Sequence, residues 1–358
     1  GKDGLLFEMS NWDIINTAKM AWRYGLSPFY FKMHLDEFLD KQQLLYRLLD
    51  TGVSFRSLSD MIHLIDMNHL VNTTMSEWLK GLNLNDLYAQ EMINATLNSI
   101  YNQHDMAAIS GLFALSKIGN QYYRIEGGNG LIPRTLADIL ISHKDFKLHL
   151  NTPVRSISKT DNNTYEVSTG IMGTSFEFDI LVIATPLSIS SLHFGNGLDH
   201  LNSFINTPKP VNLHVTYLEG ELNPELFKHH HPNTLFSKPD THIGGIFNYG
   251  NFFRIHSRNK LTKNDIDSLK LFKNYKLLHD FVWNYACGKY DPILNFSDIP
   301  SFVLDNRLFY LSAHEVIASG MDLSLMASKN VANMIEDLFI EKKLKKDKVL
   351  DHCHITGK

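Results

Sequence analysis

Apolar and polar positions along this chain follow two regimes. From residue 10 to 118 apolar side chains recur every three or four positions, the spacing of a helix face. Trp12, Ile15, Ala18 and Trp22 share one such face behind a capping pattern of Ser10 and Asp13, and Gly25 with Pro28 stops the helix. Phe31, Leu35, Phe38, Leu45 and Leu49 mark a second helix over 29–50. Shorter helices are predicted near 57–65, 74–79, 85–101 and 106–116.

At Gln121 the pattern changes. A strand at 121–125 (QYYRI), a glycine turn at 126–130 (EGGNG) and a helix over 132–143 follow in quick order. Residues 146–150, 154–159, 164–169 and 180–184 read as strands, with Asp161, Asn162 and Asn163 as a hairpin turn. Pro208 and Pro210 mark a boundary, after which 211–218 alternates as a half-buried strand. Residues 211–300 are mixed, with His229, His230 and His231 in a loop. The chain closes on a buried strand at 307–312 (RLFYLS), a loop at 313–320 (AHEVIASG) and a helix over 321–339. Ser319 and Gly320 stand where that helix begins. Its first free N–H groups carry partial positive charge and favour an anion or an electron-rich ring edge. The same pattern also describes an ordinary strand-to-helix connection in an α/β domain.

Composition narrows the class. At 358 residues, 44% hydrophobic and 20% charged, the chain has room for two domains and a sizeable core. A formal charge of −4 gives no basic footprint, so no nucleic-acid partner is expected. The eighteen histidines would carry the charge above zero in an acidic compartment. Cys287 and Cys353 cannot form a disulfide scaffold for a chain this size. No apolar run reaches the roughly 18 residues of a membrane span. The start, GKDGLLFEMSNW, lacks an initiator Met and a signal pattern, and reads as the inside of a longer chain.

Three segments could carry chemistry. The consecutive Gly127 and Gly128, between a strand and a helix, let backbone N–H groups approach a ligand. Residues 179–186 (DILVIATP) form an apolar strand ending in Ala184, Thr185 and Pro186, the kind of strand that ends under a cofactor in a dinucleotide-binding sheet. The third is the 307–339 stretch. No GxGxxG fingerprint or P-loop occurs in these residues. In order, EGGNGLIPRTLADIL, DILVIATPLS and RLFYLSAHEVIASGMDLSLMASKNVANMI resemble the prenylcysteine oxidase (prenylcysteine lyase) family. The front, LLFEMSNWDIINTAKMAWRYGL, looks like that family's first substrate-region helix. The resemblance runs from Leu5 to Leu338, and its ATP and GGNG segments are shared with flavin amine oxidases.

The resemblance implies an α/β fold: an FAD-binding, Rossmann-like domain of flavin amine oxidase type, N-terminally truncated, with a helical and mixed-sheet substrate domain. It divides the chain into a partial FAD-binding part (1–9, 119–209 and 300–340), a substrate part (10–118 and 210–299) and a tail (341–358). It implies an FAD-dependent oxidoreductase that cleaves the thioether of farnesyl- or geranylgeranyl-cysteine. A hydride leaves the prenyl carbon beside sulfur for flavin N5, water adds to the thiocarbenium ion, and cysteine and an isoprenoid aldehyde separate. Molecular oxygen takes the electrons and leaves as hydrogen peroxide. By the same resemblance Gly127, Gly128, Val154, Ala184, Thr185, Pro186, Glu315, Gly320, Met321 and Asp322 hold FAD, in a ring-sized slot beside Ala184 and Gly128. His314 and Glu315 are the candidate catalytic groups. The Asp322 carboxylate would oppose charge developing on the flavin unless it points away.

Burying a farnesyl chain gains on the order of 10 kcal/mol before ordering costs, so a greasy tunnel is expected, with Trp12, Trp22 and Phe38 in its wall. Sequons at Asn72 and Asn162 suit glycosylation in a lysosomal or secretory lumen, and no metal is expected. The family's N-terminal βαβ unit with GxGxxG, and its signal peptide, have no counterpart in these residues. The tail DHCHITGK instead resembles the start of an HNH or endonuclease-VII-type motif. A flavin amine oxidase with another substrate, and an inactive lipid-binding fragment, are the alternative readings.

Overall fold

The computed structural model describes residues 13–103, 105–117, 125–170, 173–227, 232, 234–237 and 242–355. Ser10, Trp12, the 121–124 part of the first expected strand and His229–His231 lie outside the described residues. The front is helical. Helix α1 (Asp13–Tyr24) ends where Gly25 adopts positive φ, and α2 (Ser27–Asp50) follows at once. Pro28 stands in the first turn of α2, where no partner is needed for its missing N–H, so it opens a helix rather than stopping one. Phe31, Phe38, Gln42, Leu45 and Leu49 form the buried stripe of α2.

Helices α3 (Leu58–Leu64), α4 (Asn68–Val71) and α5 (Met75–Gly81) are short. Ser57 with Asp60, and Thr74 with Glu77, close reciprocal capping boxes on α3 and α5. Helix α6 (Asp86–Tyr88), a π-turn at Ala89–Asn94 and α7 (Ala95–Tyr101) form one run. Helix α8 (Ala108–Leu115) is buried along its whole length. Helix α9 (Leu131–Ile141) is the opposite case: none of its residues is buried, and Leu136, Ile139 and Leu140 face solvent.

Three sheets follow. β1 (Val154–Lys159), β2 (Tyr165–Thr169) and β3 (Ser175–Phe178) make an antiparallel meander, which β5 (His193–Phe194) joins in parallel beside β1. β4 (Leu181–Ile183) leaves this meander for another sheet. β6 (Pro210–Leu222), β7 (Thr234–Phe236), β8 (Ile243–Tyr249), β9 (Phe252–Ser257) and β10 (Phe272–Gly288) form the second sheet, in the order β10-β6-β9-β8-β7. α10 (Pro224–Phe227) and α11 (Lys263–Ser268) sit in its connections. β11 (Val303–Asp305) and β12 (Leu308–Tyr310) close the third sheet, in which β12 runs parallel to β4. The chain then enters α12 (Met321–Ile355), which extends the helix expected over 321–339. Residues 146–150 have strand composition but are coil, because no strand runs beside them among the described residues to share a ladder.

The larger apolar core joins the helical front to β4, β12 and α12, and a smaller one lies on the second sheet around Ile246, Phe253 and Ile255. Side-chain amides clamp the large core. Asn330 accepts from Phe55 N at 2.7 Å and donates to Phe55 O at 2.9 Å. Asn333 donates to Leu49 O at 2.8 Å and Val53 O at 2.9 Å. Leu49 lies in the last turn of α2, whose carbonyls lack partners within the helix, so α12 caps α2 from the side.

Candidate functional site

The site is built on the parallel pair β4–β12. Ile183 stands opposite Tyr310, so Ala184 and Leu311 leave the sheet side by side at its carboxyl end. That is where ligands bind in open α/β sheets. The Tyr310 hydroxyl accepts from Leu187 N at 3.2 Å and holds the turn after Ala184 against β12. Burial pushes the Tyr310 phenol up to about 12. A tight turn at Leu311–Val316 follows β12 and carries the chain to Gly320 and the start of α12.

Behind that turn lies a half-buried polar chain. Tyr290 donates to Ser319 Oγ at 2.7 Å, and Ser319 Oγ donates to Glu315 Oε2 at 2.5 Å. Tyr101 packs edge-on against Tyr290, with ring centroids 4.9 Å apart, and its hydroxyl donates to Ser319 O at 3.5 Å. Burial raises both phenols well above their ordinary value, so they act here as fixed donors. Cys287 lies beside them, its thiol pushed up to about 12 by burial. A Cβ on Gly288 would stand 2.6 Å from Pro208 Cγ and 2.9 Å from the Glu315 carbonyl, so only glycine lets β10 pack this close.

His314 is 2% exposed, with Nδ1 3.0 Å from the Leu311 carbonyl and Nε2 3.9 Å from Glu315 Oε1. Burial lowers its pKa against the pull of Glu315, which leaves a neutral ring donating from Nδ1. His314 thus holds its own turn together. Asp322 does not point away from the helix start. Its Oδ1 lies 2.7 Å from where a Cβ on Gly320 would be, while Oδ2 pairs with Lys117 and accepts from Tyr46 at 3.5 Å. The Lys117 ammonium supplies the opposing charge.

The other expected site residues are scattered. Ala184, Thr185, Gly127 and Gly128 are exposed, and the backbone hydrogen bonds of 125–146 outside α9 are all local. Among the described residues, no backbone hydrogen bond joins the Gly128 side of the expected slot to the Ala184 side. Val154 is exposed at the start of β1. Two of the three expected wall residues are described. Trp22 is 92% exposed because the apolar face of α1 points outward, and Phe38 is core, edge-on to Phe113 at 4.9 Å. Trp12 lies outside the described residues. Asn72 and Asn162 are exposed, the latter in its hairpin turn. Tyr290, Tyr101, Lys117 and Tyr46 were not legible as site residues. Each is a single position without periodic context, brought in from another element.

The model of the family described as prenylcysteine lyase matches residues 7–240 and 247–348. This chain belongs to that family. Prenylcysteine oxidase 1 of Mus musculus, one curated relative, is 29% identical over 369 residues, covering 92% of this chain and 70% of the mouse protein. The farnesylcysteine lyase of Arabidopsis thaliana is 27% identical over 345 residues, covering 92% of this chain and 65% of the plant protein. Among solved structures, a cofactor-binding redesign of putrescine oxidase superposes with a TM-score of 0.52 at 12% identity, over 84% of this chain and 75% of that one. The fold of this prenylcysteine lyase family member is α/β, of the flavin amine oxidase type.

Proposed function

We propose that this chain is an FAD-dependent thioether oxidase. It acts on prenylated cysteine and yields cysteine, an isoprenoid aldehyde and hydrogen peroxide, with water and dioxygen consumed. The observation that carries the reading is the family match across nearly the whole chain, together with a helix start at the carboxyl end of the β4–β12 pair. The residues fit one end of a flavin. Gly320 and Met321 offer backbone N–H groups, Ala184 is small and exposed, and Lys117 offsets Asp322. They do not supply its pyrophosphate end, since these residues contain no GxGxxG. FAD, when bound, supplies the electron acceptor. This chain's own residues hold negative charge at the α12 start and fix that start through Ser319, Glu315 and Tyr290. The division into a cofactor part (1–9, 119–209 and 300–340) and a substrate part (10–118 and 210–299) belongs to the same reading. So does work in a lysosomal or secretory lumen, which the exposed sequons at Asn72 and Asn162 support.

The test is to purify the chain with FAD and offer farnesylcysteine and an alkylamine in parallel. Bound flavin absorbance and peroxide release from the thioether are expected. Peroxide from the amine alone would replace this reading with an amine oxidase. Farnesylcysteine binding with no flavin retained would favour a lipid-binding role, to which the uncovered α9 face also points.

A further inference from the structure

The second sheet uses one of its faces for its own core. Leu218 pairs with Phe253 and Ile246 with Ile255, and these side chains form the smaller apolar core. Cross-strand partners share a face, and the positions between these pairs bring aromatic rings together on the other face. There Trp283 stands opposite Leu213, Phe281 opposite Val215 and His279 opposite Tyr217. The Phe281 ring lies nearly parallel to Tyr217 at 6.1 Å and edge-on to Trp283 at 5.5 Å. Trp283 is 55% exposed, so the row is open to a ligand at that ring. Beyond Tyr217, the Arg254 guanidinium lies over the Phe247 ring at 4.6 Å and ends the apolar row with a charge.

The other end of the row reaches the candidate site. Two residues past Trp283, where β10 breaks register with β6, comes Tyr285. Its hydroxyl lies beside Ser188 Oγ, in the turn that follows Pro186. Both oxygens are buried and neither completes a hydrogen bond. A buried hydroxyl without a partner costs free energy, and a ligand with matching groups removes that cost. Burial, with Glu315 and Tyr310 close by, raises the Tyr285 phenol, so it keeps its proton and offers an O–H. Each hydroxyl both donates and accepts, which suits a zwitterion carrying a carboxylate and an ammonium. From Tyr285 to His279 the strand advances about 20 Å, at about 3.4 Å per residue. A ligand laid along it meets polar groups at one end and aromatic surface over the rest, and an apolar chain with an amino-acid end has that chemistry. A second copy of the protein would cover the rings and leave the two hydroxyls unexplained.

We propose that this row is the prenyl site of the thioether substrate, with Trp283, Phe281 and Tyr217 against the isoprenoid chain and Tyr285 and Ser188 on the amino-acid end. The inference rests on the thioether reading for its ligand, and the test separates the two. Equilibrium dialysis of the full chain is run with farnesylcysteine and with farnesol, which has the same tail and no amino-acid end. Trp283→Ser is expected to weaken both by about tenfold or more. Tyr285→Phe is expected to weaken farnesylcysteine by about fivefold and to leave farnesol unchanged. Trp22→Ser, at an exposed tryptophan of α1, is expected to change neither. Trp283 and Trp22 are exposed and the Tyr285 hydroxyl holds no partner, so all three variants are expected to melt with the parent. The inference is overturned if the parent binds neither ligand, or if Trp283→Ser binds both as the parent does. It is equally overturned if Tyr285→Phe does not tell the two ligands apart, or if light scattering finds a dimer that Trp283→Ser separates. Peroxide release from farnesylcysteine with both variants binding unchanged would remove the inference and leave the thioether reading. Binding that follows the expected pattern, with no peroxide from the chain supplied with FAD, would remove the reading and leave the site.

Discussion

Tyr290 and Ser319 show how a helix start can rest on side chains brought in from other elements. The Tyr290 hydroxyl orients Ser319 Oγ, which in turn donates to Glu315, and all three lie between β10 and the helix start. Tyr290→Phe removes one donor yet keeps the ring packed on Tyr101. The expected loss is about 1 kcal/mol of stability, read as a lower urea midpoint. If stability is unchanged and the thermal factors of the 315–320 turn do not rise in a crystal structure, the chain of hydroxyls is not what fixes that turn. Little of this was legible in the sequence. The stretch from 307 to 339 announced a strand, a loop and a helix by its spacing, and the loop's Glu315 and Gly320 were legible from family likeness. Tyr290 follows a long strand whose pattern says nothing of its partners.

At the scale of elements, legibility followed how many neighbours decide the fate of a segment. The buried stripe of α2 repeats at helical spacing, and its core-facing positions were readable before any partner was known. Helix α1 has an equally clear apolar face, and that face points outward, because the polar Asn16 and the ring of Tyr24 turn inward. Tyr24 and Arg23 are tied to Glu91 in the π-turn, at 3.0 and 2.8 Å, and these bonds set the rotation of the helix. Strand β10 runs for 17 residues with three breaks of register against β6, and its exposed positions do not alternate. A reader of pattern alone has no period to follow there. The clamp between α12 and α2 gives a sharper prediction. Asn333→Ala removes a donor from the buried Leu49 carbonyl, which keeps the Gly52 N–H, and from the part-buried Val53 carbonyl, and is expected to lower stability by on the order of 1–2 kcal/mol. Lys329→Ala, on the exposed side of the same helix, is expected to change it by less than about 0.5 kcal/mol. Equal midpoints for the two variants in urea would show that the amide clamp contributes nothing.

For the whole molecule, acid is the condition that separates folded from unfolded. Burial, aided by the charge of Arg254, lowers His256 from 6.5 to about 4, and burial lowers His314 as well. Both rings are kept neutral in the fold, whereas in the unfolded chain they bind protons from 6.5 downward. Their contribution to stability is therefore complete above pH 6.5 and is lost as pH falls from there towards 4. The melting temperature is expected to drop across that window, and to drop less in His256→Phe, whose ring keeps the contact with Phe247. A flat profile between those values would mean that both histidines titrate as if exposed. The same whole-molecule view gives the amide clamp a mechanical meaning. Asn330 lies ten residues along α12 from Gly320, about 15 Å at helical rise, and grips Phe55 in the loop after α2. One continuous helix therefore carries both the amides that open at Gly320 and the side chain that holds this loop.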